Sequence, residues 1–159
     1  MTLASMISIL LWLCALGCGL LAGLYFAFSV FIMSALDRLG PAAGAAAMNS
    51  INDVILRSLF MPAFLLTSLA SLALASIGVL RWGEAGAGLL IAGGLCHFVG
   101  MFVVTMAFNV PLNNQLQSSQ AAEVEANWRR YVLAWTRWNH VRTLASLAAS
   151  ALFIAALIA

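Results

Sequence analysis

The chain has 159 residues, 64% hydrophobic and only 8% charged, with a net charge of +2 and a mean hydropathy of +1.04. Soluble domains are roughly half apolar and about a quarter charged, so an ordinary water-soluble globule is excluded. Seven arginines, two aspartates, three glutamates and no lysine make up the charge, too sparse and scattered for a nucleic-acid footprint. The length fits one domain, and the composition fits a polytopic membrane protein.

Charges divide the sequence into four uncharged blocks, residues 1–36, 58–80, 85–122 and 143–159. A helix needs about 20 apolar residues to cross a hydrocarbon core of about 30 Å, so each block predicts one span. The expected fold is all-α, a single membrane domain over 1–159 built as a four-transmembrane-helix bundle. Its helices are expected at about 5–35, 54–80, 86–109 and 124–158, with the first and last projecting beyond the bilayer.

The first block has no basic leader and is about twice as long as a signal-peptide core, so it is read as a retained helix. Along it, Ala15, Gly19, Gly23 and Ala27 form a ladder of small residues that permits close helix approach. Packing within the chain is the first reading of that ladder, and a homodimer through Gly19 and Gly23 is the second. Gly40-Pro41 breaks the first helix, and the second span is led in from near Asn49. Asp53 and Arg57 stand four apart with the acid first, which predicts a helix ion pair, as do Glu125 and Arg129.

In the third block, His97 is an ionisable group at mid-span. Such groups are functional candidates, but a neutral imidazole bonded across helices explains it as well and is the preferred reading. Asn109-Val-Pro111 is expected to stop this helix, because proline disfavours helix at the residue before it. Cys14, Cys18 and Cys96 all fall inside predicted spans and are expected to be free thiols. No CxxC, Cys/His or Glu-x-x-His spacing appears, so no metal ligands are assigned, and haem is disfavoured.

Arginine placement predicts orientation. The connections between spans 1–2 and 3–4 hold Arg38, Arg57, Arg129, Arg130 and Arg137, whereas Arg81 stands alone at the other end. The positive-inside rule puts the two richer connections in the cytoplasm of a bacterial inner membrane and both termini outside.

Polar side chains gather at the same arginine-rich end. Asn49, Asn52, Asn109, Asn113, Asn139 and Arg142 all belong to it, and buried polar groups there need partners, which predicts a polar vestibule between helix ends. At 100° per residue, Trp128, Tyr131, Trp135, Trp138, Asn139 and Arg142 share one helix face, and Ser146, Ala149 and Phe153 continue it. Two readings stand for this stripe: the wall of a flat aromatic pocket, or an aromatic belt facing lipid. His140 points about 140° away from it.

Four motifs carry a resemblance to a known family: Phe26-Ala-Phe-Ser-Val-Phe-Ile-Met33 with Ala35-Leu36, Met48-Asn-Ser-Ile-Asn52, Asn109-Val-Pro-Leu-Asn-Asn114 and Trp138-Asn-His-Val-Arg-Thr143. In order and spacing they resemble the anthrone oxygenase-like family of small four-helix membrane proteins, with Ser34 where that family usually has proline. The resemblance implies oxidation of an anthrone- or quinol-like lipophilic aromatic compound by dioxygen, without metal or organic cofactor. It implies catalytic roles for Arg142 and Asn139 at an oxyanion and for His140 as base, with Asn49, Asn52, Asn109, Asn113, Trp135 and Trp138 binding substrate. The implied partners are the lipid bilayer and a hydrophobic aromatic small molecule. Two other classes remain open: a non-catalytic small-molecule binder, and a structural or accessory membrane subunit.

Overall fold

The computed structural model describes residues 2–159, which form five helices and, among the described residues, no strand. Helix α1 spans Leu3–Asp37, α2 Pro41–Ile55, α3 Phe60–Leu80, α4 Ala87–Gln117 and α5 Val124–Leu157. All but α2 are long and apolar enough to cross a membrane, as an integral membrane bundle requires. At 1.5 Å per residue, the 35 residues of α1 and the 34 of α5 reach about 50 Å, so both exceed the hydrocarbon core.

Helix α5 is the spine, packing along α1 and α4, while α3 closes the bundle against α4 and α1. Small residues make this close approach possible. A Cβ on Gly94 would lie 2.4 Å from the Ser71 carbonyl oxygen, and one on Gly100 would lie 2.5 Å from Ala145 Cβ. From the ladder on α1, Ser150 Oγ donates to the Ala15 carbonyl at 2.8 Å and lies beside Gly19, whereas Gly23 faces open space. Trp12, Leu16, Leu20, Leu66 and Leu144 stay exposed on the outer faces, where lipid rather than water is the natural solvent.

Helix α2 was not expected as a separate element. Gly40 takes φ 84°, a conformation open to glycine, and Pro41 then starts a new helix instead of merely ending the old one. Asn49 and Asn52 therefore sit on α2, ahead of the second span. Because α2 ends at Ile55, Arg57 lies beyond it and the expected Asp53–Arg57 pair does not form; Asp53 instead accepts from Gln117 Nε2 at 3.5 Å. The Glu125–Arg129 pair does form.

The stop expected at Pro111 is also absent, and α4 runs on to Gln117. Proline has no N–H and its ring collides with the carbonyl four residues back. Here the preceding residues Thr105–Asn109 form a π turn, whose wider winding moves bonding to the fifth residue back and accommodates the ring. A second π turn occupies Phe98–Val103, and a third lies in α1 at Phe28–Ile32.

Candidate functional site

The aromatic stripe of α5 is buried: Trp128 is 0%, Tyr131 2% and Trp135 4% exposed. Its rings lie near-parallel in sequence, with centroids 5.8 Å apart for Trp128 and Tyr131 and 6.1 Å for Tyr131 and Trp135. Helix α2 covers the upper part. Trp128 lies where a Cβ on Gly44 would come within 2.7 Å of its ring, and its indole N–H donates to Asp37 at 2.8 Å. Of the two readings for the stripe, burial selects the inward one for these three residues. Trp138 differs: it is half-buried and stacks on the exposed Phe108 with ring centroids 3.7 Å apart.

Below Trp135, α1, α2, α3, α4 and α5 enclose a cavity of about 300 Å³. Its walls are apolar, supplied by Phe28, Met48, Phe60 and Phe64 among others, and exposed Leu56 and Met106 stand at its rim. Asn52, Asn109, Asn113, Trp135 and Arg142 line it, together with Tyr25 and Thr105, which the sequence reading had not singled out.

Arg142 is the cavity's only charged lining residue, and it is 5% exposed. Among the described residues the ion pairs are Arg81–Glu84 and Arg129–Glu125, so this guanidinium has no carboxylate partner. Burying an unpaired cation is costly unless other groups replace water. Here two rings do so: the guanidinium carbon lies 4.4 Å from the Tyr25 ring centroid and 5.0 Å from that of Trp135. Nη2 donates to Asn139 Oδ1 at 2.6 Å and Nη1 to Thr105 Oγ1 at 3.4 Å, while Nε is buried without a partner.

Asn139 is fully buried and stands behind Arg142, outside the cavity lining. Its amide nitrogen donates to the Tyr25 carbonyl at 2.6 Å and to Ser29 Oγ at 2.7 Å. Both acceptors lie at the start of the π turn in α1.

Three polar residues of α4 spaced four apart complete one wall, each bonded to α5. Thr105 takes Arg142, Asn109 Nδ2 donates to the Trp135 carbonyl at 3.3 Å, and Tyr131 donates to Asn113 Oδ1 at 2.8 Å. The i, i+4, i+8 spacing of Thr105, Asn109 and Asn113 within an uncharged block is the signal that finds this ladder in the sequence. Tyr25 gives no comparable signal, being one hydroxyl in an apolar run.

The remaining candidates lie elsewhere. His140 is exposed in an open groove with Asp37, Thr136 and Arg137, because its 140° offset turns it away from the cavity. As placed, it does not meet the geometric requirement of a base for a ligand in the cavity. Asn49 is half-buried with Oδ1 unpartnered and does not line the cavity. His97 is fully buried in the opposite half of the bundle, its Nδ1 3.3 Å from Cys18 Sγ on α1. All three cysteines are free, and among the described residues no three His, Cys, Asp or Glu side chains converge as metal ligands would.

Residues 54–152, more than half of the chain, match the family described as anthrone oxygenase. The chain belongs to the anthrone oxygenase family. The region matched to anthrone oxygenase contains the whole α4 ladder, Trp135, Asn139 and Arg142, while Tyr25, Phe28 and Asn52 come from outside it. No curated protein and no solved structure matches the chain.

Proposed function

We propose that the cavity binds a flat, lipophilic, anthrone-like compound and that the protein oxidises it with dioxygen. One observation carries this reading: an unpaired buried guanidinium, held by Asn139 and two aromatic rings, lines an otherwise apolar cavity. Apolar and aromatic walls with few, well-placed polar groups suit a flat aromatic ligand. The volume of about 300 Å³ lies at the small end for small-molecule sites, about 300–1,000 Å³. Membership of the anthrone oxygenase family supports the choice of reaction.

An anthrone has a carbonyl opposite an acidic methylene. Loss of one methylene proton spreads negative charge onto the carbonyl oxygen, where Arg142 stabilises it as a preorganised cation in a dry site. The lining offers no imidazole or carboxylate, so the contribution of Arg142 is to favour the anion, and the proton passes to water at the rim. The electron-rich anion gives one electron to dioxygen, and the resulting pair combines to a carbon-bound peroxide that takes up a proton. When its O–O bond breaks, the carbon loses its second hydrogen and becomes a carbonyl, and the other oxygen leaves as water. Two methylene hydrogens and one dioxygen thus give one new carbonyl and one water. This balance needs no metal, and the lining has no thiol, imidazole or carboxylate to hold one.

We further propose, from the positive-inside rule alone, that the α2 end of the bundle, with five of the seven arginines, lies on the cytoplasmic side. The test is oxygen uptake by the purified, chelator-treated protein with a simple anthrone. Uptake above the spontaneous rate, lost in Arg142→Ala, supports the proposal. Saturable binding without uptake would instead make the cavity a carrier or binding site.

A further inference from the structure

On the outer face of the bundle, α1 and α5 border an open groove of about 380 Å³ that shares no lining residue with the cavity. Val30 and Leu133 line it and are 58% and 77% exposed, on two helices that cross the membrane, so this wall meets acyl chains. Two opposite charges share the groove without pairing. Asp37 lines it from α1 and Arg137 from α5, both exposed, whereas the ion pairs among the described residues are Arg81–Glu84 and Arg129–Glu125. One oxygen of the Asp37 carboxylate accepts the Trp128 indole N–H, which leaves the second to another donor.

The two charges also stand at different depths. Asn139 of α5, two residues past Arg137, bonds Ser29 of α1, so Arg137 belongs near the level of Ser29. Asp37 is eight residues farther along α1, at its charged end, a rise of about 12 Å that the long arginine stem partly closes. The cation is therefore the deeper charge and the anion the outer one. A zwitterionic phospholipid presents the complement, with its phosphate on the acyl side of the headgroup and its amine on the water side.

We propose that this groove binds one phospholipid with an ethanolamine headgroup, its phosphate at Arg137, its ammonium at Asp37 and an acyl chain along Val30 and Leu133. A guanidinium donates a planar pair of N–H groups, which suits phosphate. A primary ammonium donates to the free carboxylate oxygen, whereas a quaternary choline has no N–H to give. A purely anionic headgroup would satisfy Arg137 and set like charge against Asp37. The groove's remaining titratable side chain, His140, acts alike on ethanolamine and choline headgroups, which carry the same charges.

Native mass spectrometry of the detergent-purified protein tests this, by titration with phosphatidylethanolamine, phosphatidylcholine and phosphatidylglycerol of identical acyl chains. The wild type is expected to bind the ethanolamine lipid about tenfold tighter than the choline lipid, and tighter than the glycerol lipid. Asp37→Asn keeps an acceptor for the Trp128 indole and should erase the preference for ethanolamine over choline. Arg137→Gln should weaken both about tenfold, while Arg57→Gln, outside the groove, leaves wild-type affinities. Equal wild-type affinities for the ethanolamine and choline lipids overturn the inference, as does tighter binding of the glycerol lipid. A preference that survives Asp37→Asn, or an equal loss in Arg57→Gln, overturns it too. So does equal binding of glycerophosphoethanolamine, which lacks the chains and would make the ligand a water-soluble phosphodiester. The wild-type headgroup series decides alone should a variant fail to fold.

Discussion

Arg142 is aimed by Asn139: Nη2 donates to Asn139 Oδ1 at 2.6 Å, and the amide nitrogen of Asn139 is itself committed to the Tyr25 carbonyl and Ser29 Oγ. The direction of the cation is therefore set by α1 through a residue of α5. A three-residue separation along α5 brings the two side chains together, and the π turn of α1 supplies the anchor. Neither residue positions the charge alone.

Arg142→Lys keeps the charge and loses the fork that spans Asn139 and Thr105. Turnover of an anthrone should fall about 100-fold or more, the scale seen when a preorganised donor is removed from an oxyanion site. Oxygen-uptake kinetics check it, with wild-type rates in the lysine variant counting against the proposed role.

Asn139→Ala leaves the Tyr25 carbonyl and the Arg142 guanidinium short of a partner in a fully buried site. The expected loss is about 2–3 kcal/mol of stability, seen as a lower unfolding midpoint in detergent. In the fraction that remains folded, kcat should drop more than KM rises, because aim rather than binding is lost. An unchanged melt with unchanged kcat would show that Asn139 holds nothing.

His140→Ala should leave turnover within about twofold of wild type, as expected for an exposed side chain away from the cavity. A steady-state comparison over a range of pH is sufficient. Loss of activity in this variant would return the imidazole to the reaction and require the groove, not the cavity, to hold substrate.

Gly94→Ala and Gly23→Ala should part company. A Cβ at Gly94 would sit 2.4 Å from the Ser71 carbonyl and 2.6 Å from Ala75 Cβ, so α3 and α4 must separate, at a cost of about 1–3 kcal/mol. At Gly23 nothing lies within 4 Å, and alanine should stabilise the helix by about 0.5–1 kcal/mol. Thermal unfolding of the two variants side by side distinguishes them. A destabilised Gly23→Ala would point to a second copy of the chain packed on that face.

Much of this architecture can be read from the sequence, because its cause is local. Four uncharged blocks dictate four spans, and 100° per residue puts Trp128, Tyr131, Trp135, Asn139 and Arg142 on one face while turning His140 off it. Trp138 sits at the margin of that stripe, where a small angular difference exchanges the interior for Phe108. The missed features depend on winding and on distant partners. Gly40-Pro41 does break α1, but Pro41 also starts a helix of its own, and Pro111 follows a π turn that accepts it. No periodicity argument distinguishes these outcomes without knowing how the preceding turn is wound. Tyr25 becomes important only because Arg142, 117 positions later, lies across its ring.

The π turn at Thr105–Asn109 works as a phase shifter. It adds residues to a single turn, so the angular register of α4 before it and after it need not agree. The stretch bearing Gly94 can be set for close contact with α3, while the stretch bearing Asn109 and Asn113 is set independently toward the cavity. Deleting one residue between 105 and 109 would restore ordinary winding and remove the extra residue together with the wider turn that absorbs it, so the two stretches would keep nearly the facing they have now. The asparagines would still line the cavity, and the cost would fall on Pro111, whose ring would again meet the carbonyl four residues back.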